Sequence, residues 1–178
     1  MLITGKSVFL RAIEEKDFIS ISKSFQDEEI LYMTGTRTIL NKEQIKIAHR
    51  NFSINPTRYD FAICLLESGQ IIGDLSISEI DFDNEKAMFR IALHHKENHG
   101  RGYGTEATKL ALRFTFKELK LNRLELQVFS HNIRGIRAYE KAGFKKEGIL
   151  RQALFMNGTY SDEIIMSVIQ EDYDLKDS

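Results

Sequence analysis

Between Lys86 and Val128 the chain carries the pattern that most restricts its fold. Lys86 to Leu93 reads as a strand and ends at the turn His99-Gly100-Arg101-Gly102-Tyr103-Gly104-Thr105. Thr105 to Glu118 then sets Ala107, Leu110, Ala111 and Phe114 on one face at helical spacing. Arg123-Leu124-Glu125-Leu126-Gln127-Val128 alternates as a half-buried strand. Strand, helix and strand in this order predict a βαβ unit with parallel strands and a right-handed crossover. The glycine turn falls at the carboxyl end of the first strand, where open α/β sheets bind ligands.

The flanking segments complete a mixed α/β fold. Ser7 to Arg11 reads as a first strand, and Glu14 to Phe25 carries a loose helical stripe of Phe18, Ile19, Ile21 and Phe25. Asn41 and Gln44 hold the capping-box positions of a second helix running to about residues 51–52. Tyr59 to Leu66 and Ile71 to Ile80 form a hairpin around Glu67-Ser68-Gly69-Gln70, and Lys86 to Leu93 makes it a three-strand meander. Ile133 to Ala142 is helical with Gly143 as its cap. Phe144 to Phe155 and Tyr160 to Ile169 are strands joined at Asn157-Gly158, a hairpin signal. No repeat or linker interrupts residues 1–178, so one domain is expected: a central mixed sheet, an antiparallel meander, a βαβ unit and a closing hairpin.

The turn's chemistry narrows the function. Three glycines at alternate positions let the backbone turn tightly and approach a ligand. The helix that follows begins with free N–H groups and a positive dipole end, a seat for phosphate or diphosphate. Arg101 adds a charge and a donor fork. A turn that binds nothing is the plain alternative. The spacing Gly-x-Gly-x-Gly departs from the dinucleotide fingerprint Gly-x-Gly-x-x-Gly, and no Gly-Lys-Ser/Thr follows as a P-loop needs. Composition excludes other classes. A net charge of −1 over 178 residues argues against broad nucleic-acid binding. Cys64 is the single cysteine and lies in an apolar run, so a buried, inert thiol and a reducing, cytoplasmic setting are expected. No apolar run spans a membrane, and Met1 to Arg11 shows no signal-peptide pattern. His94, His95 and His99 lack a carboxylate partner in sequence, so no metal site is expected.

A second cluster follows: Asn132-Ile133-Arg134-Gly135-Ile136-Arg137-Ala138-Tyr139-Glu140-Lys141-Ala142-Gly143-Phe144. Together with Arg101-Gly102-Tyr103-Gly104-Thr105-Glu106-Ala107 it resembles the GNAT superfamily of N-acetyltransferases. The nearest branch in pattern holds the ribosomal-protein N-terminal and spermidine acetyltransferases, and Asn157 to Met166 is similar to it too. The resemblance implies acetyl-CoA as donor, an amine as acceptor and a homodimer as a compatible assembly. It implies strands that splay apart, with the pantetheine arm against Ile91, Ala92 and Leu93, and the diphosphate on backbone N–H groups from Gly100 to Thr105. Asn132 matches a position near the pantetheine arm, and Tyr139 matches the general acid. Seven positions separate those two, so one helix face carries both. Taken without the glycine loop, Tyr139 reads first as a ring packed on the sheet from an amphipathic helix.

Two departures matter. His99 stands where the family motif has Gln or Arg; it either donates to phosphate or is a solvated loop residue. Met88 stands where many relatives carry a glutamate that relays the amine proton. Glu79 is then the candidate base, with a solvated strand end as its alternative, and proton loss to bulk water needs no base at all. Glu28 and Glu29 lie where the family walls its acceptor pocket, and they read otherwise as a surface charge pair. Arg134, Arg137 and Lys141 either hold the nucleotide phosphate or are exposed helix charges. Cys64 and the serines show no arrangement for a covalent intermediate, so direct transfer is expected. The rival reading is a module that senses acyl-CoA without transferring its acyl group; a nicotinamide-dependent oxidoreductase is a more distant one.

Overall fold

The computed structural model describes residues 1–177. Eight strands form one mixed sheet in the order β1-β2-β3-β4-β5-β6-β8-β7. They are β1 (Leu2–Thr4), β2 (Val8–Ala12), β3 (Tyr59–Leu65), β4 (Ile71–Asp81), β5 (Lys86–Leu93), β6 (Arg123–Phe129), β7 (Lys145–Met156) and β8 (Thr159–Ile169). The helices are α1 (Phe18–Ser24), α2 (Glu28–Thr34), α3 (Lys42–Ser53), α4 (Tyr103–Arg113), α5 (Ile133–Ala142) and α6 (Gln170–Asp177). All neighbouring strands are antiparallel except β5 and β6, which run parallel as the βαβ pattern requires.

Alternation along each strand divides the sheet into two unlike faces. Cross-strand register puts Leu10, Ile63, Leu75, Phe89, Ile91, Leu124, Leu126 and Met166 on one face. These side chains join Ala107, Leu110, Ala111 and Phe114 of α4 in the main core. Each fully buried Leu, Ile or Phe there contributes about 1.5–3 kcal/mol. The opposite face carries Asp60, Asp74, Ser76, Ser78, Arg90 and Glu125. A small second cluster of Phe18, Ile21 and Ile45 links α1 and α3 beside it.

Local chemistry explains most boundaries. Asn41 accepts from the Gln44 N–H, and the Gln44 side chain accepts from the Asn41 N–H, both at 3.0 Å, which closes the capping box. Asn157 and Gly158 both have positive φ (52° and 74°), the geometry of a tight hairpin turn. Gly143 at φ 124° ends α5 and donates to the Tyr139 and Glu140 carbonyls. The expected long helix after the glycine turn is shorter: α4 stops at Arg113 and a π-helical turn covers Phe114–Glu118. The Thr115 hydroxyl bonds back to the Ala111 carbonyl at this junction, which competes with regular helix geometry. The expected first helix begins as a 3₁₀ turn, Glu15–Asp17, before α1. The sequence pattern does not announce β1, α2, α6 or the 3₁₀ turn Lys96–Asn98. For α2 only the caps serve as cues. The Asp27 side chain accepts from the Glu29 and Ile30 N–H groups, and Gly35 at φ 64° closes the helix.

Candidate active site

The parallel strands β5 and β6 pair for only three steps, Lys86–Arg123, Ala87–Leu124 and Met88–Glu125. Beyond this, β5 stays with β4 through Leu93 and β6 stays with β8 through Phe129. The two inner edges therefore part from Phe89 onward and leave main-chain groups without a ladder partner. Such groups need hydrogen bonds from water or a ligand. A cleft of about 590 Å³ opens along the freed part of β5. It runs from the glycine turn, past Ile91, Ala92 and Leu93, to Ile30, Met33 and Thr34 of α2.

At one end Gly102, with φ 84°, is the N-cap of α4 and supplies no side chain to cap it. The first helical bond runs from the Glu106 N–H to the Gly102 carbonyl, so the N–H groups of Tyr103, Gly104 and Thr105 precede the bonded ladder. A Cβ at Gly100 or Gly102 would meet nothing within 4 Å, so ligand atoms have room against this backbone. Gly100, Gly102, Gly104 and Thr105 line the cleft, as do His99, Asn132, Arg137 and Tyr139. The Arg101 side chain is exposed outside it, and Tyr103 packs its ring on the core. Glu106 is structural: its carboxylate collects the N–H groups of Lys6, Ser7 and Val8. Burial pushes the Glu106 carboxyl up, and those three donors outweigh it and hold it below its ordinary value.

His99 carries a buried Nδ1 with no partner among the described residues. Burial lowers its pKa and nearby Arg134 lowers it further, so the ring is neutral at pH 7. An orphaned polar atom in a cleft wall is a place for a ligand's hydrogen bond. Asn132 caps α5 by accepting from the Gly135 N–H at 2.9 Å, and its Nδ2 donates to the Met33 carbonyl at 3.4 Å. It therefore joins α5 to α2 across the cleft. Tyr139 lies half-buried between Phe89 and Phe144, with ring centroids 6.5 and 5.9 Å away. Burial pushes its hydroxyl up to about 12, against a smaller lowering by Arg90, so it stays protonated at neutral pH.

The expected acidic residues are elsewhere. Glu79 is exposed at a bulge in β4, with φ 52°, near the strand end that pairs with Met88. The splayed half of β5 pairs with the other end of β4, at Gly73 to Leu75, so β4 does not carry Glu79 to the cleft. Glu28 is exposed on the first turn of α2. Glu29 bridges Lys96 at 2.8 Å and Arg134 at 3.2 Å, and these cations, Lys96 foremost, hold it below the usual carboxylate range. Neither lines the cleft. Lys141 and Arg137 line it without an ion pair among the described residues. Cys64 is fully buried, and desolvation raises its thiol pKa, which suits packing and not attack. Among the described residues no cluster of His, Cys, Asp and Glu has the makings of a metal site, and no helix is long and apolar enough to cross a membrane.

The split parallel pair, the glycine nest at the N-terminus of α4 and the protonated Tyr139 meet on one cleft. The family model described as an acetyltransferase (GNAT) domain matches residues 7–145, and the chain belongs to this family of N-acetyltransferases. A full-length relative is the SPbeta prophage-derived N-acetyltransferase YokL of Bacillus subtilis, 30% identical over 181 residues covering 97% of this chain and 95% of that one. The spermidine N(1)-acetyltransferase of Escherichia coli K12 is 36% identical over 105 residues, which cover 59% of this chain and 56% of that protein. Among solved structures, the spermidine N-acetyltransferase of Vibrio cholerae, in complex with CoA and spermine, superposes with a TM-score of 0.88. It is 24% identical, with 95% of this chain and 99% of that one covered, and this likeness establishes the fold.

Proposed function

We propose that this enzyme moves an acetyl group from acetyl-CoA directly to a primary amine, with Tyr139 as general acid. One observation carries the reading: the cleft joins the glycine nest to α2 along the part of β5 that has left β6. A donor and an acceptor can therefore meet along that strand. The N–H groups of Tyr103 to Thr105 suit the diphosphate, and the unpaired Nδ1 of His99 suits a donor in the adjoining arm. The bare edge of β5 at Ile91 to Leu93 offers main-chain partners to an amide-containing arm. Arg137 and Lys141 supply positive charge for the nucleotide end.

When bound, the donor supplies a thioester whose carbonyl carbon the amine nitrogen attacks. An alkyl ammonium has a pKa of about 10.4 and a thiol one of about 8.5, so the amine must shed protons and the sulfur must gain one. Tyr139, protonated throughout the neutral range, holds the proton that the departing sulfur needs. The acceptor class, a primary amine such as a polyamine or a protein N-terminus, is supported by the spermidine-acetylating relatives. Two measurements test the reading: calorimetric titration with CoA, and mass spectrometry of products from polyamines, peptides and aminoglycosides with acetyl-CoA. Saturable CoA binding and an acetylated amine are expected. No CoA binding refutes the assignment, and binding with no product across the panel leaves an acyl-CoA sensor instead.

A further inference from the structure

Four residues along the sheet from Met88, and on the same face, β4 presents the carboxylate of Asp74. Register sets Asp74 of β4 opposite Ala92 of β5, at the level where the strands have parted. Asp74 lines a small recess with Ala92, Arg90 and Thr34, and Ala92 and Thr34 also line the main cleft. The recess has room for about one water-sized group, the size of an ammonium head.

The carboxylate is held in a defined orientation. The Ser20 hydroxyl and His94 Nδ1 are hydrogen-bonded at 2.9 Å, and His94 Nε2 donates to Asp74 Oδ1 at 2.6 Å. The His94 side chain is completely buried, so it orients the carboxylate and cannot itself touch a ligand. The second oxygen, Oδ2, makes no hydrogen bond among the described residues, and Arg90 Nη1 stands 3.9 Å from it. Burial raises the Asp74 carboxyl, and His94 followed by Arg90 outweighs burial, so the group remains ionised below its ordinary value. An ionised, oriented carboxylate with one unused oxygen, in the wall of a recess of ammonium size, has the chemistry to hold a cation.

We infer that Asp74 docks the acceptor's ammonium group beside the strand gap, with Ser20 and His94 as positioning residues, and so selects alkylamines that arrive as cations. This rests on the amine-acetyltransferase reading. Arg90 competes for the same oxygen and weakens the subsite, because like charges disfavour a second cation there.

The test uses D74N, which keeps shape and an acceptor for His94, and R90Q, at a half-exposed position. Initial rates are read with spermidine and with an arylhydrazine, which is uncharged at the assay pH, alongside the KM for acetyl-CoA. D74N should lower kcat/KM for spermidine by about 10- to 100-fold, the scale of one charge-assisted hydrogen bond. Its arylhydrazine rate and its KM for acetyl-CoA should stay within about threefold of wild type. R90Q should lower the KM for spermidine by a few-fold. Equal losses on both acceptors in D74N, or no loss, or a spermidine KM that rises in R90Q, overturns the subsite and leaves the acetyltransferase reading standing. A wild-type enzyme that acetylates no amine overturns both.

Discussion

Replacing Tyr139 with Phe isolates the hydroxyl from the ring. The ring contacts to Phe89 and Phe144 are retained, and the hydroxyl bonds no described residue, so the melting temperature should hold within about a degree. The size of the catalytic effect follows from the raised pKa. Full transfer from an acid of about 12 to a thiolate whose conjugate acid lies near 8.5 is uphill by about 3.5 units, close to 5 kcal/mol. Tyr139 therefore hydrogen-bonds the departing sulfur through most of the step and gives up its proton late. General acids contribute about 10²- to 10⁴-fold, and this mismatch selects the lower end, about 10² or 2.7 kcal/mol. The assay is kcat from pH 6 to 10 at saturating acetyl-CoA, with calorimetry of CoA binding. Both enzymes should show the same profile shape, because the hydroxyl does not titrate in that window and the amine does. A variant within threefold of wild-type turnover refutes the acid role, and a variant that loses CoA binding shows that the hydroxyl serves the donor instead.

Two further outcomes rest on separate parts of the structure. Gly102→Ala places a side chain in open space at φ 84°, so its cost is conformational, about 1–2 kcal/mol, and should appear as a lower melting temperature and several-fold weaker CoA binding by calorimetry. Asp17 is buried and takes two hydrogen bonds from Arg11, at 2.6 and 2.9 Å. Burial pushes its carboxyl up, and Arg11 with the Glu14 N–H outweighs this and depresses it. A depressed carboxylate stabilises the fold above its ordinary pKa, and that contribution fades as pH falls through the depressed value. Asp17→Asn should therefore cost about 3 kcal/mol at pH 7, measured by urea unfolding, and make stability less steep below about pH 4.

Patterns confined to a few neighbouring residues were readable without coordinates. The capping box at Asn41 and Gln44, the Asn157-Gly158 turn and the Gly143 cap are decided within four residues of chain. The alternation of Leu124, Leu126 and Val128 and the stripe of α4 mark the core by periodicity alone. The glycine turn is encoded by spacing along a few residues, whereas Tyr139 was singled out through the family resemblance; both line the cleft. Short α2 was missed because it buries no residue fully and so shows no strong stripe, although it walls the cleft through Ile30, Met33 and Thr34.

Register decided the rest. Glu79 and Asp74 lie on the same strand, and only the pairing of β4 with β5 shows which of them stands level with the parted strands. The Ser20–His94–Asp74 chain spans contacts 74 and 20 residues apart, and no local pattern announces it. The parting of β5 from β6 likewise depends on each strand holding its outer partner. Local backbone preference and periodicity are short-ranged and written in neighbouring residues. Which polar groups meet across the sheet depends on long-range pairing, whose free energy belongs to the folded chain as a whole.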